Sequence, residues 1–110
     1  MRRLIEKVLR AEKARGRIDV SLVNDREIRK LNREFRKKDK PTDVLSFAYD
    51  QKGILGDVVI SRDTAKRNAK QFGLTYRKEL KRLIIHGILH VLGYDHGRKM
   101  SYAEKIYAQF

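Results

Sequence analysis

The sequence predicts an α+β fold, in which a small mixed sheet of about three strands packs with about five helices. Two patterns indicate this class. Short β-branched runs bounded by turn residues are typical of strands, and longer segments with apolar residues three or four positions apart are typical of amphipathic helices. The 110 residues show no internal repeat or linker, so we expect one domain over 1–110.

The first half of the chain predicts a helix, a strand and a second helix. An apolar stripe over 3–13 indicates a helix that Gly16 ends, and alternating β-branched residues over 17–23 indicate a strand. Asn24 is suited to cap the second helix, which ends near residue 36, ahead of Pro41. The apolar residues of this helix are Ile28, Leu31 and Phe35.

The second half predicts two strands followed by three helices. Residues 44–48 and 57–60 indicate the strands, with Gly53 and Gly56 in a turn or loop between them. Caps and glycines that bound the third and fourth helices are Ser61, Gly73, Thr75 and Gly93. The apolar residues of the three helices are Ala65, Ala69 and Phe72; Leu80, Leu83, Ile84, Ile88 and Val91; and Tyr102, Ile106 and Tyr107.

The composition favours a globular protein with an anionic partner. Hydrophobic residues make up 41% and charged residues 37% of the chain, which excludes a disordered protein. Lys and Arg number 27 against 14 Asp and Glu, and the resulting net charge of +13 attracts polyanions. Nucleic acid is therefore the leading partner class.

Composition also limits the location and the chemistry. No apolar run reaches the ~18 residues of a membrane-spanning helix, and the charged start is unlike a secretory signal. We therefore expect a soluble cytoplasmic protein with no membrane partner. The lack of cysteine excludes disulfides, thiolate nucleophiles and Cys-based zinc sites, so any metal must be bound by nitrogen or oxygen.

All three histidines of the chain fall within the segment HGILHVLGYDH, as His86, His90 and His96. His86 and His90 stand four apart on one face of the fourth helix, where one metal ion can bridge them. Gly93 lets the chain leave the helix and turn His96 toward the same ion, with a fourth position open for water. The pattern predicts one catalytic metal ion. We expect zinc, and nickel or cobalt would suit the same nitrogen ligands.

The histidine spacing matches the ligand frame of metzincin peptidases, except that Gly87 stands where those enzymes have a glutamate as general base. The missing base favours another hydrolysis over proteolysis. A polar histidine cluster without metal remains an alternative. Asp95 has two open interpretations, as an acceptor for a ligand imidazole or as a turn residue.

The densest positive stretch covers 29–40, with seven cations and two carboxylates. Most of these side chains are expected to form a solvated helix face. For Arg36, which follows the apolar anchor Phe35 at a helix end, a solvated side chain and a phosphate-gripping guanidinium both remain open. Lys38 is a second candidate for substrate binding. A metal site beside a phosphate-binding arginine on a basic surface favours phosphodiester cleavage over amide hydrolysis.

Three segments stand in the order and spacing of one known family. They are LNREFRKKDKPTDVLSF at 31–47, LGDVVIS at 55–61 and HGILHVLGYDH at 86–96. Through them the sequence resembles the YbeY-type endoribonucleases. The resemblance implies a metal-dependent, single-strand-specific endoribonuclease that acts in 16S rRNA 3′-end maturation and ribosome quality control.

The resemblance also implies site residues and partners. In that family the histidines of the last motif bind zinc, here His86, His90 and His96, and His86 is also treated as essential to cleavage. The arginine of the first motif, here Arg36, is held to be important for activity. The implied partners are rRNA of the small ribosomal subunit, together with ribosomal proteins or an assembly GTPase. Asp57 lies in the second motif, where we expect a structural turn residue ahead of its strand.

One departure and two alternatives accompany the resemblance. Family members usually begin with a further strand, which the sequence does not show before its first helix, and an unpaired sheet edge lowers stability or promotes self-association. The first alternative is a metal-dependent peptidase with an unassigned carboxylate as base. The second is a non-catalytic ribosome-assembly factor that binds RNA and uses zinc only for folding.

Overall fold

The computed structural model describes residues 1–110, except for the side chain of Asp50. The described backbone forms five helices and three strands, which confirms the predicted α+β class. In chain order they are α1 Arg2–Ala11, β1 Arg17–Val23, α2 Asp25–Arg36, β2 Val44–Gln51, β3 Ile54–Ser61, α3 Arg62–Phe72, α4 Tyr76–Val91 and α5 Arg98–Tyr107. Within this description no helix has the length and apolar character needed to cross a membrane.

The three strands form one mixed sheet, as predicted, and their order is β1-β3-β2. β3 is the central strand, and it runs parallel to β1 and antiparallel to β2. A tight turn joins β2 to β3 at Gly53, whose φ of 81° lies in the region that glycine adopts most readily. β1 lies at the edge, where the carbonyl of Leu22 accepts a hydrogen bond from Arg62 Nη1 at 2.9 Å.

The two faces of the sheet pack against different helices because side chains alternate along β3. Val58 and Ile60 point into the main core, which α1, α3, α4 and α5 complete. Val59 points to the other face and packs with Ile28 of α2 and Leu45 of β2. α4 is buried along most of its length in the main core, and its C-terminal end carries the histidine motif.

Several predicted boundaries were wrong. The first helix ends at Ala11 rather than 13, since the chain turns at Lys13, which has a φ of 55°. The second and third strands extend over most of 49–56, which was predicted as a turn or loop, because the hairpin pairs on to Gln51 and Ile54. Periodicity alone does not show how far a hairpin ladder continues.

Some predicted apolar faces were also wrong. The buried residues of α5 are Met100, Ala103 and Tyr107, whereas Tyr102 and Ile106 are exposed. Phe72, at the end of α3, and Phe35, near the end of α2, are exposed by 58% and 53%. These three helices each bury a narrow stripe, and apolar residues beside that stripe stay on the surface.

Candidate metal centre

α4 positions two histidines at its C-terminal end. His86 and His90 are half-buried and face a cleft, while the residues around them on the helix pack into the core. Their ring centroids are 4.6 Å apart and their Nε2 atoms 3.2 Å apart. The four-residue spacing on one helix face accounts for this approach.

A Schellman turn after α4 brings the third histidine to the other two. The N–H groups of Gly93 and Tyr94 donate to carbonyls in the last turns of α4, and Gly93 has a φ of 99°. The ring centroid of His96 then lies 4.8 Å from that of His90 and 5.5 Å from that of His86. One nitrogen from each imidazole lies within 4.8 Å of the others, which confirms the predicted clustering.

Two of these histidines have protein acceptors for their outer ring nitrogens. His86 Nδ1 lies 3.1 Å from Glu104 Oε2, and His90 Nδ1 lies 3.0 Å from the carbonyl oxygen of Tyr94. Because a carbonyl and a carboxylate only accept, each Nδ1 carries the hydrogen, and the Nε2 of each neutral imidazole then has a free lone pair. Two lone pairs that face each other favour a cation between them, so these residues fit a metal with nitrogen ligands.

The protonation equilibrium of His90 also fits a ligand. Burial lowers its pKa below the usual 6.5, and the nearby rings of His86 and His96 lower it further. The carbonyl of Tyr94 and the carboxylate of Glu104 oppose this shift without reversing it. The result favours neutral imidazole, which is the form that binds a metal.

Gly87 shows why no carboxylate follows the first histidine. A Cβ at this position would overlap the side chain of Val58 on β3. The Gly87 carbonyl also accepts a hydrogen bond from Ser46 Oγ at 3.0 Å, which ties α4 to β2. A glutamate here would have to separate α4 from the sheet, so the departure from the metzincin pattern follows from packing.

The cleft in front of the histidines has a volume of about 730 Å³ and is also lined by the basic segment. Arg36, Lys38 and Lys40 reach it from the end of α2 and the loop that follows. Asn32 is buried and shapes this loop, since its Nδ2 donates to the Lys40 carbonyl at 2.8 Å. The structure therefore brings together all five site residues that the sequence predicted: Arg36, Lys38, His86, His90 and His96.

Arg36 is held differently from the prediction. The predicted apolar anchor, Phe35, is mostly exposed, and its ring packs edge-on against Phe47 at 5.3 Å. The guanidinium of Arg36 instead lies 5.1 Å from the centroid of the Phe47 ring and donates from Nη2 to the Ser46 carbonyl at 2.7 Å. β2 therefore orients Arg36, and Ser46 links it to the histidine helix through Gly87.

Two acidic residues have different positions from those considered. Asp57 was expected in a turn, but it lies inside β3 opposite Phe47 and accepts a hydrogen bond from Tyr49 at 2.6 Å. Asp95 is exposed, and the acceptors found for the histidines are Glu104 and the Tyr94 carbonyl. It lies in the irregular segment between the turn after α4 and the start of α5.

Sequence reasoning missed the residues that support the site. Glu104 comes from α5, and Glu12 follows α1 and accepts hydrogen bonds from the hydroxyls of Tyr94 and Tyr107. Ser46 was inside a recognised motif but had no assigned contact. No local spacing signals such partners, because each lies on a different element from the histidine or loop that it supports.

Several curated proteins are similar in sequence to this chain. A protein of Persephonella marina named Endoribonuclease YbeY is 52% identical over 97 residues, which is 83% of this chain and 63% of the relative. One of Aquifex aeolicus with the same name is 57% identical over 83 residues, 72% of this chain and 55% of the relative. The chain thus spans less than two thirds of the length of these curated relatives.

The fold and a family pattern agree with these relatives. The solution structure of a Thermotoga maritima protein superposes with a TM-score of 0.75 at 34% identity, covering 98% of this chain and 76% of that one. The sequence pattern of the family described as Endoribonuclease YbeY matches residues 1–109. Because this match includes the cleft, the three histidines and nearly every residue around them, the chain belongs to the YbeY family.

Proposed function

We propose that this chain is a metal-dependent endoribonuclease that cleaves single-stranded RNA. We infer its role to be 16S rRNA 3′-end maturation and ribosome quality control in the cytoplasm, with residues 1–110 as one catalytic domain. Its partners are rRNA of the small subunit, with ribosomal proteins or an assembly GTPase. The name shared by its relatives supports the activity.

One observation carries the proposal: three imidazoles and three cationic side chains line the same cleft. His86, His90 and His96 would hold one Zn²⁺ or a similar divalent ion through the nitrogens described above. Such an ion, when bound, lowers the pKa of water and polarises a phosphoryl oxygen. No strong carboxylate base is then needed at the position of Gly87.

The chain's own residues supply binding and charge stabilisation. The Ser46 carbonyl and the Phe47 ring fix the guanidinium of Arg36, whose remaining N–H groups are suited to a phosphate that gains charge during cleavage. Lys38 and Lys40 lie in the same cleft and bind adjacent phosphates. The net charge of +13 draws the RNA strand toward this surface.

The two alternative functions have less support. A peptidase needs a carboxylate beside the first ligand, but Gly87 packs too closely against Val58 to be replaced, and Glu104 is engaged with the outer nitrogen of His86. A purely structural zinc has four protein ligands in a closed site, whereas these three histidines face an open cleft.

Arg36→Lys tests the proposal because it keeps the charge and loses the planar fork. We expect the variant to bind a single-stranded rRNA 3′-end oligonucleotide nearly as well as wild type and to cleave it about 10 to 1,000-fold more slowly. The measurement is single-turnover cleavage at saturating enzyme with metal content verified. Arg26→Lys, on the exposed surface of the same helix, is the matched control.

Two results would contradict the proposal in different ways. A saturated rate for Arg36→Lys within about twofold of wild type would remove Arg36 from the catalytic residues. Failure of the metal-loaded wild type to cleave RNA, together with binding that is insensitive to salt, would remove the nuclease function. Binding by phosphate contacts should instead weaken with salt, with a log–log slope of about −0.7 per contact.

A further inference from the structure

The outward face of α5 carries an aromatic ring between two cations. Arg98, Tyr102 and Lys105 follow one another at four and three positions, so they lie on one stripe of the helix. Tyr102 is 68% exposed, the highest value among the described large hydrophobic side chains. Helix packing does not account for it, because α5 buries Met100 and Ala103 on its other side.

This stripe is connected to the metal cleft by a continuous surface. His96 lines both the cleft and a groove that runs along the turn after α4. Gly97, Arg98 and Lys99 line that groove and also the depression that contains Tyr102 and Lys105. From Arg98 to Tyr102 the helix advances only ~6 Å along its axis. A strand that lies over His96 therefore has a short path to the tyrosine.

We propose that Tyr102 is a base-stacking platform for single-stranded RNA that leaves the metal cleft past His96. Arg98 and Lys105 contact phosphates on either side of the stacked base, and Lys99 borders the path. This inference rests on the proposed function, since it extends the RNA-binding surface of the same site. It assigns a substrate-binding role to α5 beyond its packing against α4.

The chemistry of the surface favours RNA over a protein partner. A protein-binding patch has an apolar centre with few charges, whereas the depression around Tyr102 includes Arg98, Lys99 and Lys105. Exposed aromatic rings among cations are typical of single-strand binding, because every base offers a flat face and every nucleotide a negative charge. Asp95 is the acidic residue that lines the connecting groove, and the three cations outnumber it.

The test compares RNA length and ring chemistry at residue 102. Binding of fluorescent single-stranded oligonucleotides of about 3 and 12 nucleotides, within the range of single-strand sites, is measured with EDTA present to prevent cleavage. Tyr102→Ala should weaken binding of the longer RNA by about tenfold and that of the shorter by less than twofold, and Tyr102→Trp should keep wild-type binding. Phe72→Ala removes another largely exposed ring, on α3, and is the control.

The possible outcomes separate this inference from the proposed function. If Tyr102→Ala binds the longer RNA like wild type, there is no stacking platform. The same holds if Tyr102→Trp loses as much affinity for that RNA as Tyr102→Ala does. If wild type with metal still cleaves RNA in that case, only the α5 inference fails. If Tyr102→Ala instead leaves RNA binding intact but breaks up a self-associated form in sedimentation, the surface binds protein and the inference is wrong.

Discussion

The two ends of α4 each carry a cluster of polar groups, and the clusters are built on opposite principles. In the first turn, Glu79 is completely buried, and both its oxygens accept hydrogen bonds from Arg82, at 2.7 and 2.8 Å. Asn68 Nδ2 adds a third bond to Glu79 at 3.0 Å and lies 3.2 Å from Asp43. Every strong acceptor in this cluster therefore faces a donor.

At the other end, acceptors face acceptors. The Nε2 atoms of His86 and His90 point at each other because their Nδ1 atoms are engaged with Glu104 and with the Tyr94 carbonyl. A cluster that satisfies itself contributes to stability and to the register of the helix. A cluster that directs lone pairs to one point is incomplete without a cation, and this is why we propose the metal site at this end of α4.

The largest expected effect comes from removing one metal ligand, which tests the difference between the two ends of α4. His90→Ala should lower affinity for Zn²⁺ or Co²⁺ by more than about 100-fold, above the cost of losing an outer partner of a ligand. The fold should persist, because the apolar residues of α4 carry the packing. Metal competition with a chromophoric chelator gives the affinity and circular dichroism confirms folding. Unchanged affinity in a folded variant would rule out the three-histidine site.

Loss of Glu79 should lower stability and leave metal affinity nearly unchanged. Glu79→Ala is expected to lower the free energy of unfolding by about 2 kcal/mol, since Asn68 and Arg82 lose a buried partner. The cost stays below that of a fully buried ion pair because Arg82 is partly exposed and can turn to solvent.

Urea unfolding of the apo protein measures the effect of Glu79→Ala, and Glu6→Ala on the exposed side of α1 is the control. Metal affinity should stay within about twofold of wild type, because the two clusters share no hydrogen bond and the charge of Arg82 reaches the histidines only through Glu104. A large loss of metal affinity would mean that the two ends of α4 are not independent.

Sequence predicted the elements better than their surroundings. Caps such as Asn24, Ser61 and Thr75 were found because a capping residue and its helix are neighbours in the chain, and each accepts the expected backbone N–H. The buried face of α5 was found only at Tyr107, because Tyr102 and Met100 are both apolar and only the position of α4 decides which of them is covered.

The site followed the same rule. The three histidines were predicted because one helix and one glycine turn position them, so local geometry is sufficient. Glu104 was not, because α5 must first pack beside α4 before a carboxylate reaches His86. Arg36 lines the cleft with the histidines, but its predicted support was wrong, since Phe47 and Ser46 lie on a strand that the helix pattern does not reveal.

Glu104 gives a finer test of the difference between the two ends of α4, because its side chain is the partner of His86 in the histidine cluster. Glu104→Gln keeps an acceptor near His86 Nδ1 and removes the charge, so we expect metal affinity to fall about tenfold, the lower end for an outer partner. Glu104→Ala also removes the acceptor, so its metal affinity should fall further. The chelator competition assay measures both, with Glu6→Gln as control. Equal affinity in all variants would show that His86 needs no acceptor.

Acid titration is the mildest test, and it separates the clusters by their pKa values. Metal binding needs neutral imidazole, and burial lowers the pKa of His90 below 6.5, so His90 stays neutral at pH 6.5 and metal should be released only at lower pH. Burial tends to raise the pKa of Glu79, but hydrogen bonds from Arg82 and Asn68 outweigh it and lower the pKa below its usual 4.5.

For Glu79 the carboxylate therefore contributes stability above its unfolded pKa, and this contribution is lost as the pH falls through the lower, folded pKa. Metal release should precede unfolding, so that an apo but folded protein exists between the two transitions. Titration followed by metal release and by circular dichroism measures both. In Glu79→Gln the acid limb of the stability curve should become shallower while the release midpoint stays unchanged. A single coincident transition would mean that the fold depends on the metal, and that the histidine cluster is a structural site.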